Sequence, residues 1–133
     1  MNQADLKEFF LKDRFAAHVG IELLDMAPGR AKAKLEIKDH HRNAVGVVHG
    51  AAIFSLADLV FAVASNSHGT VALGINVAIS YMTSARDGTL LAEAEEVSIN
   101  PKLATYLIRI LDDDRNLIAL FQGTVYRKGE TLP

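Results

Sequence analysis

Residues 50–66 read GAAIFSLADLVFAVASN, and a helix built from them is apolar on nearly every side. A helix of that kind has no solvent face, so the rest of the chain has to wrap it. The run is too short and too polar for a membrane span, since it contains Ser55 and Asp58. It is read as the buried central helix of a globular core. With 133 residues the chain has room for one domain, residues 1–133, and half of its residues are hydrophobic, enough for a packed interior.

The wrapping material is strand-like. Strands are expected at Gly20–Met26, Arg30–Lys38, Val71–Met82, Leu90–Ser98, Leu103–Leu111 and Leu117–Arg127, separated by turn signals at Pro28-Gly29, Arg86-Asp87-Gly88, Asn100-Pro101 and 112–116. The N-terminal segment 1–17 reads as one short amphipathic helix, with Leu6, Phe9, Phe10 and Leu11 clustered on one side and Phe15 further on. In the second strand Arg30, Lys32, Lys34, Glu36 and Lys38 alternate with apolar residues, which places it near a sheet edge with one face in water. The strand after the helix alternates large residues (Val71, Leu73, Ile75, Val77, Ile79, Tyr81) with small ones (Ala72, Gly74, Ala78, Ser80). A face of small residues fits close approach of another layer, which supports a homo-oligomer, or else a tightly curved strand with small residues on its concave side. The sum is an α+β domain with one long helix against an antiparallel sheet.

Composition narrows the function. The net charge is −2 and no basic stripe is present, which argues against nucleic acid. There is no cysteine, so disulfides, thiolate metal sites and a cysteine nucleophile are excluded, and a cytoplasmic location is expected. The charged N-terminus does not read as a signal peptide. His40-His41 lacks nearby ligands for a metal, and Ser55 lacks a nucleophile-elbow pattern. No metal or membrane partner is expected from these residues.

The segment that carries chemistry is Asn43–Asp58, NAVGVVHGAAIFSLAD. His49-Gly50 stands where a loop enters the helix, at its positive end, where N–H groups lack intrahelical partners. Gly50 lets another group reach the backbone, so its N–H is placed to polarise a carbonyl oxygen. Asp58 is a carboxylate in an apolar helix, read either as a general base or nucleophile of raised pKa or as a structural aspartate with a hydrogen-bond partner. Eight positions of helix between them span roughly 12 Å, whereas reacting atoms lie about 3–3.5 Å apart. If both act on one bond, they come from two subunits with antiparallel helices.

The pattern N-x-x-G-x-x-H-G followed by an Asp eight residues after the last Gly resembles the hotdog-fold thioesterases of the phenylacetic-acid-degradation group. The later segments Ser65–Gly69, Ile79–Gly88 and Leu117–Arg127 resemble that group in order and spacing. The resemblance implies a hotdog fold that hydrolyses acyl-coenzyme A with no cofactor needed, as a homotetramer built as a dimer of dimers. It favours aromatic or other ring-bearing acyl groups such as phenylacetyl. Gly50 would polarise the thioester carbonyl, Asp58 would attack or activate water, Asn43 would position water or carbonyl, and His49 would hold the loop. Two departures stand out. Ala51 replaces a second glycine, and Gly74 falls where relatives carry Ser or Thr, leaving Ser67 or Asn76 to help hold water. Arg86, Lys102, Arg127 and Lys128 are candidates for the coenzyme A phosphates. The competing readings are hydration or dehydration of an enoyl or hydroxyacyl thioester and non-catalytic binding of an acyl thioester.

Overall fold

A computed structural model describes residues 2–133; Met1 lies outside them. Two short helices, α1 (Gln3–Phe10) and α2 (Arg14–Val19), precede β1 (Ile21–Ala27) and β2 (Arg30–Glu36). A 3-10 turn at Asp39–His41 leads to the long helix α3 (Gly50–Asn66), and β3 (Thr70–Tyr81), β4 (Thr89–Ile99), β5 (Leu103–Leu111) and β6 (Leu117–Thr131) follow. The six strands form one antiparallel sheet in the order β1-β2-β4-β5-β6-β3. All six touch α3, which lies against one face of the sheet. The architecture is the α+β hotdog arrangement. No helix among the described residues is long and apolar enough to cross a membrane.

The single N-terminal helix expected over 1–17 is two helices. The first ends with Leu11 as its C-cap, and Asp13 starts the second: its backbone is extended and its side chain accepts from the Ala16 N–H at 2.9 Å. The break lets Leu6 and Ala16 both enter the core. Gly20, at a φ of 97°, ends α2 in a left-handed turn that feeds β1.

The second strand lies next to the sheet edge, which is formed by β1. β2 is paired on both sides, with β1 and β4. Its charges line the outer face of the sheet and bridge to neighbouring strands, Lys34 to Glu22 and Lys32 to Glu93, both at 3.5 Å. Ala31, Ala33 and Leu35 of the same strand are buried against the helix side. Alternation reports which face is wet and carries no information on whether a strand is terminal.

The sheet edges are β1 and β3, and β3 departs from the simple alternation read in the sequence. Its pairing with β6 skips Ile75, between Gly74 and Asn76. One extra residue turns every later side chain to the other face. Ala72 and Gly74 face the helix before the bulge, and Val77 and Ile79 do so after it, opposite Gly123 and the core residue Phe121. The small residues thus do not form one continuous face.

Helix α3 is less enclosed than its composition implies. Leu56, Ala57, Val60, Val63 and Ala64 are fully buried. Ala51, Ser55, Asp58 and Ala62, spaced along one stripe, are exposed or half-buried. The sheet leaves that stripe uncovered.

Both ends of α3 are tied down. At its exit the Asn66 side chain donates to the Ala72 carbonyl at 3.3 Å and accepts from the Ala72 N–H at 2.9 Å. His68 and Tyr106 both bond Glu96 Oε1, at 2.8 and 2.5 Å. Burial by itself raises the Glu96 carboxyl, yet these two hydrogen bonds together with the charge interactions of His68 and Arg127 outweigh it and hold the group below its usual value, while burial and the Glu96 bond push Tyr106 up. In the middle of the core the Phe61 ring, only 3% exposed, packs edge-on against Tyr106 and lies against Phe121. It occupies the space over two glycines. A Cβ on Gly123 would sit 2.6 Å from this ring, and one on Gly74 would sit 3.0 Å from it.

Gly123→Ala is therefore expected to lower stability by about 1–3 kcal/mol through overpacking, measured by urea unfolding. The loss should shrink in a Phe61→Leu background, because the ring that the new methyl strikes is gone. An equal loss in both backgrounds would place the strain elsewhere.

Candidate active site

The loop that enters α3 closes on itself. Arg42 and Val48 form an isolated antiparallel bridge. The Asn43 side-chain oxygen accepts from the N–H groups of Val45 and Val47, at 3.0 and 3.2 Å, and its own backbone N–H donates to the Val47 carbonyl. Arg42 reaches across to the β3–β4 loop, donating to Asp87 at 2.8 Å and to the Arg86 carbonyl. Beneath this loop His41 is buried. Its Nδ1 accepts from the Lys38 N–H at 2.9 Å, so Nε2 carries the proton and donates to the Val19 carbonyl at 2.6 Å. The His41 carbonyl in turn accepts from the His49 N–H at 2.7 Å.

His49 is the N-cap of α3. Its Nδ1 accepts from the Ala51 N–H at 2.9 Å. That bond commits one ring nitrogen to the helix and fixes the ring's direction. Gly50 is the first residue of the helix, and among the described residues nothing accepts from its N–H. Its carbonyl accepts from the Tyr81 hydroxyl at 3.1 Å, and a Cβ at this position would sit 3.2 Å from the Tyr81 ring. A free N–H at the positive end of a long helix is the arrangement that stabilises a developing oxyanion.

Asp58 lies two turns further along, on the open stripe. Its side chain is exposed, although the helix that carries it is otherwise largely buried. The apolar residues around it still matter: burial, first, and the Asp13 carboxylate, second, raise its carboxyl above the ordinary range. Asp58 stands between two clefts. One, of about 450 Å³, is bounded by Asp13, Phe15, Phe54, Leu59 and Tyr81 over Ala51 and Ser55. The other, of about 460 Å³, lies between α3 and β3 and is bounded by Phe61, Ala62, Ser65 and the stretch from Ala72 to Val77.

The structure groups the residues singled out in the sequence only in part. Gly50, Asn43 and His49 gather at the start of α3, while Asp58 and Asn76 share the second cleft. Ser67 is committed to structure: its hydroxyl donates to the Ala64 carbonyl at 2.6 Å and accepts from the Gly29 N–H at 2.7 Å. Arg86 precedes β4 and Lys102 follows it, so in one chain they are separated by roughly 30 Å of strand. Arg127 accompanies Lys102, its guanidinium donating to the Asn100 carbonyl at 2.8 Å. Gly74 has a local cause, since a side chain there would run into Phe61. Asp13, Phe15 and Tyr81 were not read as site residues. Their signals were slight: a capping aspartate three residues before Ala16, an aromatic off the apolar side of its helix, and a tyrosine at a strand end.

Residues 45–119 match the model of the Thioesterase superfamily, covering the loop, α3 and the strands up to the start of β6. A putative esterase of Archaeoglobus fulgidus is 47% identical over 130 residues, which cover 96% of this chain and 84% of that protein. The acyl-coenzyme A thioesterase PaaI of Escherichia coli K12 is 31% identical over 121 residues, covering 90% of this chain and 86% of PaaI. The solved structure of E. coli PaaI superposes with a TM-score of 0.91 at 30% identity, covering 95% of this chain and 92% of that one. The TT0310 protein of Thermus thermophilus superposes at 0.83 with 35% identity, covering 87% of this chain and 98% of that one. Family match, sequence identity and superposition agree, and the chain belongs to the thioesterase superfamily, in its hotdog-fold, PaaI-like group.

Proposed function

We propose that this protein hydrolyses acyl-coenzyme A thioesters to the free acid and coenzyme A, at a site shared between two copies of the chain. The carrying observation is the pairing, on one helix, of an unengaged N–H at Gly50 with a carboxylate of raised pKa at Asp58. The Gly50 N–H binds the thioester oxygen. Asp58 accepts a proton from water as the water oxygen bonds to the acyl carbon; the C–S bond then breaks, and the proton passes to the departing thiolate. PaaI, a thioesterase by name, supports the reaction class. The ring-lined cleft beside Asp58, with Phe15, Phe54 and Tyr81, supports an aromatic or other ring-bearing acyl group. The reading extends to a cytoplasmic homo-oligomer.

Two features support the second copy. Gly50 and Asp58 of one chain are too far apart to serve one carbon, as the helix rise requires. The outer edge of β3 is long and unpaired within the chain, and it exposes Leu73, Ile75 and Val77. Natural sheets seldom leave such an edge open.

Thiol release from a panel of acyl-coenzyme A esters tests the reading. Wild type should turn over, and Asp58→Asn should lower kcat by roughly 10²–10⁴-fold. Gly50→Pro removes the N–H at a position whose backbone suits proline, since it is the first of the helix and His49 before it is extended; a loss of roughly 10²–10³-fold is expected relative to Gly50→Ala, which brings a Cβ equally close to the Tyr81 ring but keeps the N–H. Mixed oligomers of Asp58→Asn and Gly50→Pro should regain activity, since one of their sites pairs an intact Gly50 with an intact Asp58. No regain would confine the site to one chain.

The raised Asp58 carboxyl also makes a stability claim. The neutral form suits the fold, so its contribution is complete below the unfolded value of about 3.9 and is lost as pH rises through the higher folded value. At neutral pH the folded chain carries the ionised group at a cost. Asp58→Asn should raise stability at pH 7 slightly, by less than about 1 kcal/mol because the group is solvent-accessible, and leave it unchanged near pH 3. Thermal melts at both pH values give the comparison.

A further inference from the structure

The cleft beside Asp58 has a neighbour on the other side of Phe15. This second cavity, of about 280 Å³, runs toward the start of α3 and is bounded by His18, Val19, His40, His49 and Ala52. The two share Phe15, Ala51 and Ser55 as common walls. Ala51 and Ser55 form a low floor on the open stripe of α3, and the Ser55 hydroxyl is already spent on the Ala51 carbonyl at 2.7 Å. Nothing on the floor separates the compartments. The shared wall that rises above it is the Phe15 ring.

The ring is held in place by its backbone more than by its own contacts. Phe15 is 66% exposed, but the preceding Asp13 caps α2 and the following Ala16 is in the core. A phenyl group fixed in water over an apolar floor gains from an apolar ligand laid against it.

We propose that Phe15 is a specificity-determining residue, the partition that limits how far an acyl group reaches along α3 from Asp58. The proposal rests on the acyl-thioester reading above. Acyl groups short enough to end against the ring fill the first cleft. Longer straight chains meet the ring and are rejected, although a further compartment lies behind it.

The test is binding, so it does not depend on turnover. Non-hydrolysable S-alkyl coenzyme A thioethers, from butyl to dodecyl, are titrated calorimetrically into wild type, Phe15→Ala and Phe15→Trp. Because the side chain is mostly exposed, both variants should fold, and circular dichroism checks this. Phe15→Ala should tighten the decyl and dodecyl thioethers by roughly tenfold or more relative to the butyl thioether. Phe15→Trp should move the optimum to shorter chains. Three parallel length profiles would overturn the partition. The hydrolytic reading fails separately: no thiol release from any ester by wild type would sink it, while a shifted binding profile in Phe15→Ala would still uphold the role of the ring.

Discussion

The fold is governed by the mismatch between one apolar helix and one sheet. α3 has too much apolar surface to leave in water, and a single curved sheet covers a cylinder on one side only. The strands take Leu56, Val60 and Val63 out of solvent completely. What they cannot reach is the stripe of Ala51, Ser55, Asp58 and Ala62, which is floored with small residues and carries the one acid of the helix. The N-terminal helices cover part of this stripe through α2, and clefts occupy the rest. The uncovered strip and the candidate chemistry coincide because both arise where wrapping stops.

Holding that strip in register requires α3 to be immobile at both ends, and the two ends use different means. At the entry, bonds to the backbone dominate: the loop from Arg42 to Val48 is stitched by Asn43, and His41 links it to the end of α2. At the exit the tie is made by side chains, with Asn66, Ser67 and the His68–Glu96–Tyr106 group joining helix to β3, β4, β5 and the β1–β2 turn. Donors preset in this way need little reorganisation when charge develops.

The sequence made some of this legible. The unbroken apolar run announced α3, and His49-Gly50 and Asp58 stood out because a capping residue, a bare backbone and an acid are each anomalous at their positions. Periodicity failed wherever the decisive fact was a pairing. It could not show that Ile75 is skipped by β6, since a bulge leaves the alternation of residues intact while reversing their faces. It brought β2 near the sheet edge but could not show that β1 lies outside it, because outer-face charges look alike in inner and edge strands. Asp13 read as one more polar residue in an amphipathic helix, and only its bond to Ala16 makes it a boundary. Ser67 looked free because its partners, Gly29 and Ala64, bond through the backbone, which a sequence leaves implicit.

The strand order has a consequence for how the chain reaches its native state. β1 with β2, and β4 with β5 and β6, are local hairpins that can form soon after their residues are made. β3 has no such neighbour. Its partner within the chain is β6, pairing Tyr81 with Ala119 and Thr70 with Thr131. Until β6 is available, a twelve-residue strand carrying Leu73, Ile75 and Val77 has both edges open. Closing so long a loop is entropically slow, and unpaired apolar strands are what partly folded chains aggregate through. The last pairing in the chain thus governs the interval in which the first strand after the helix is most vulnerable, and the folding rate of this domain should be set by the β3–β6 closure more than by any property of α3.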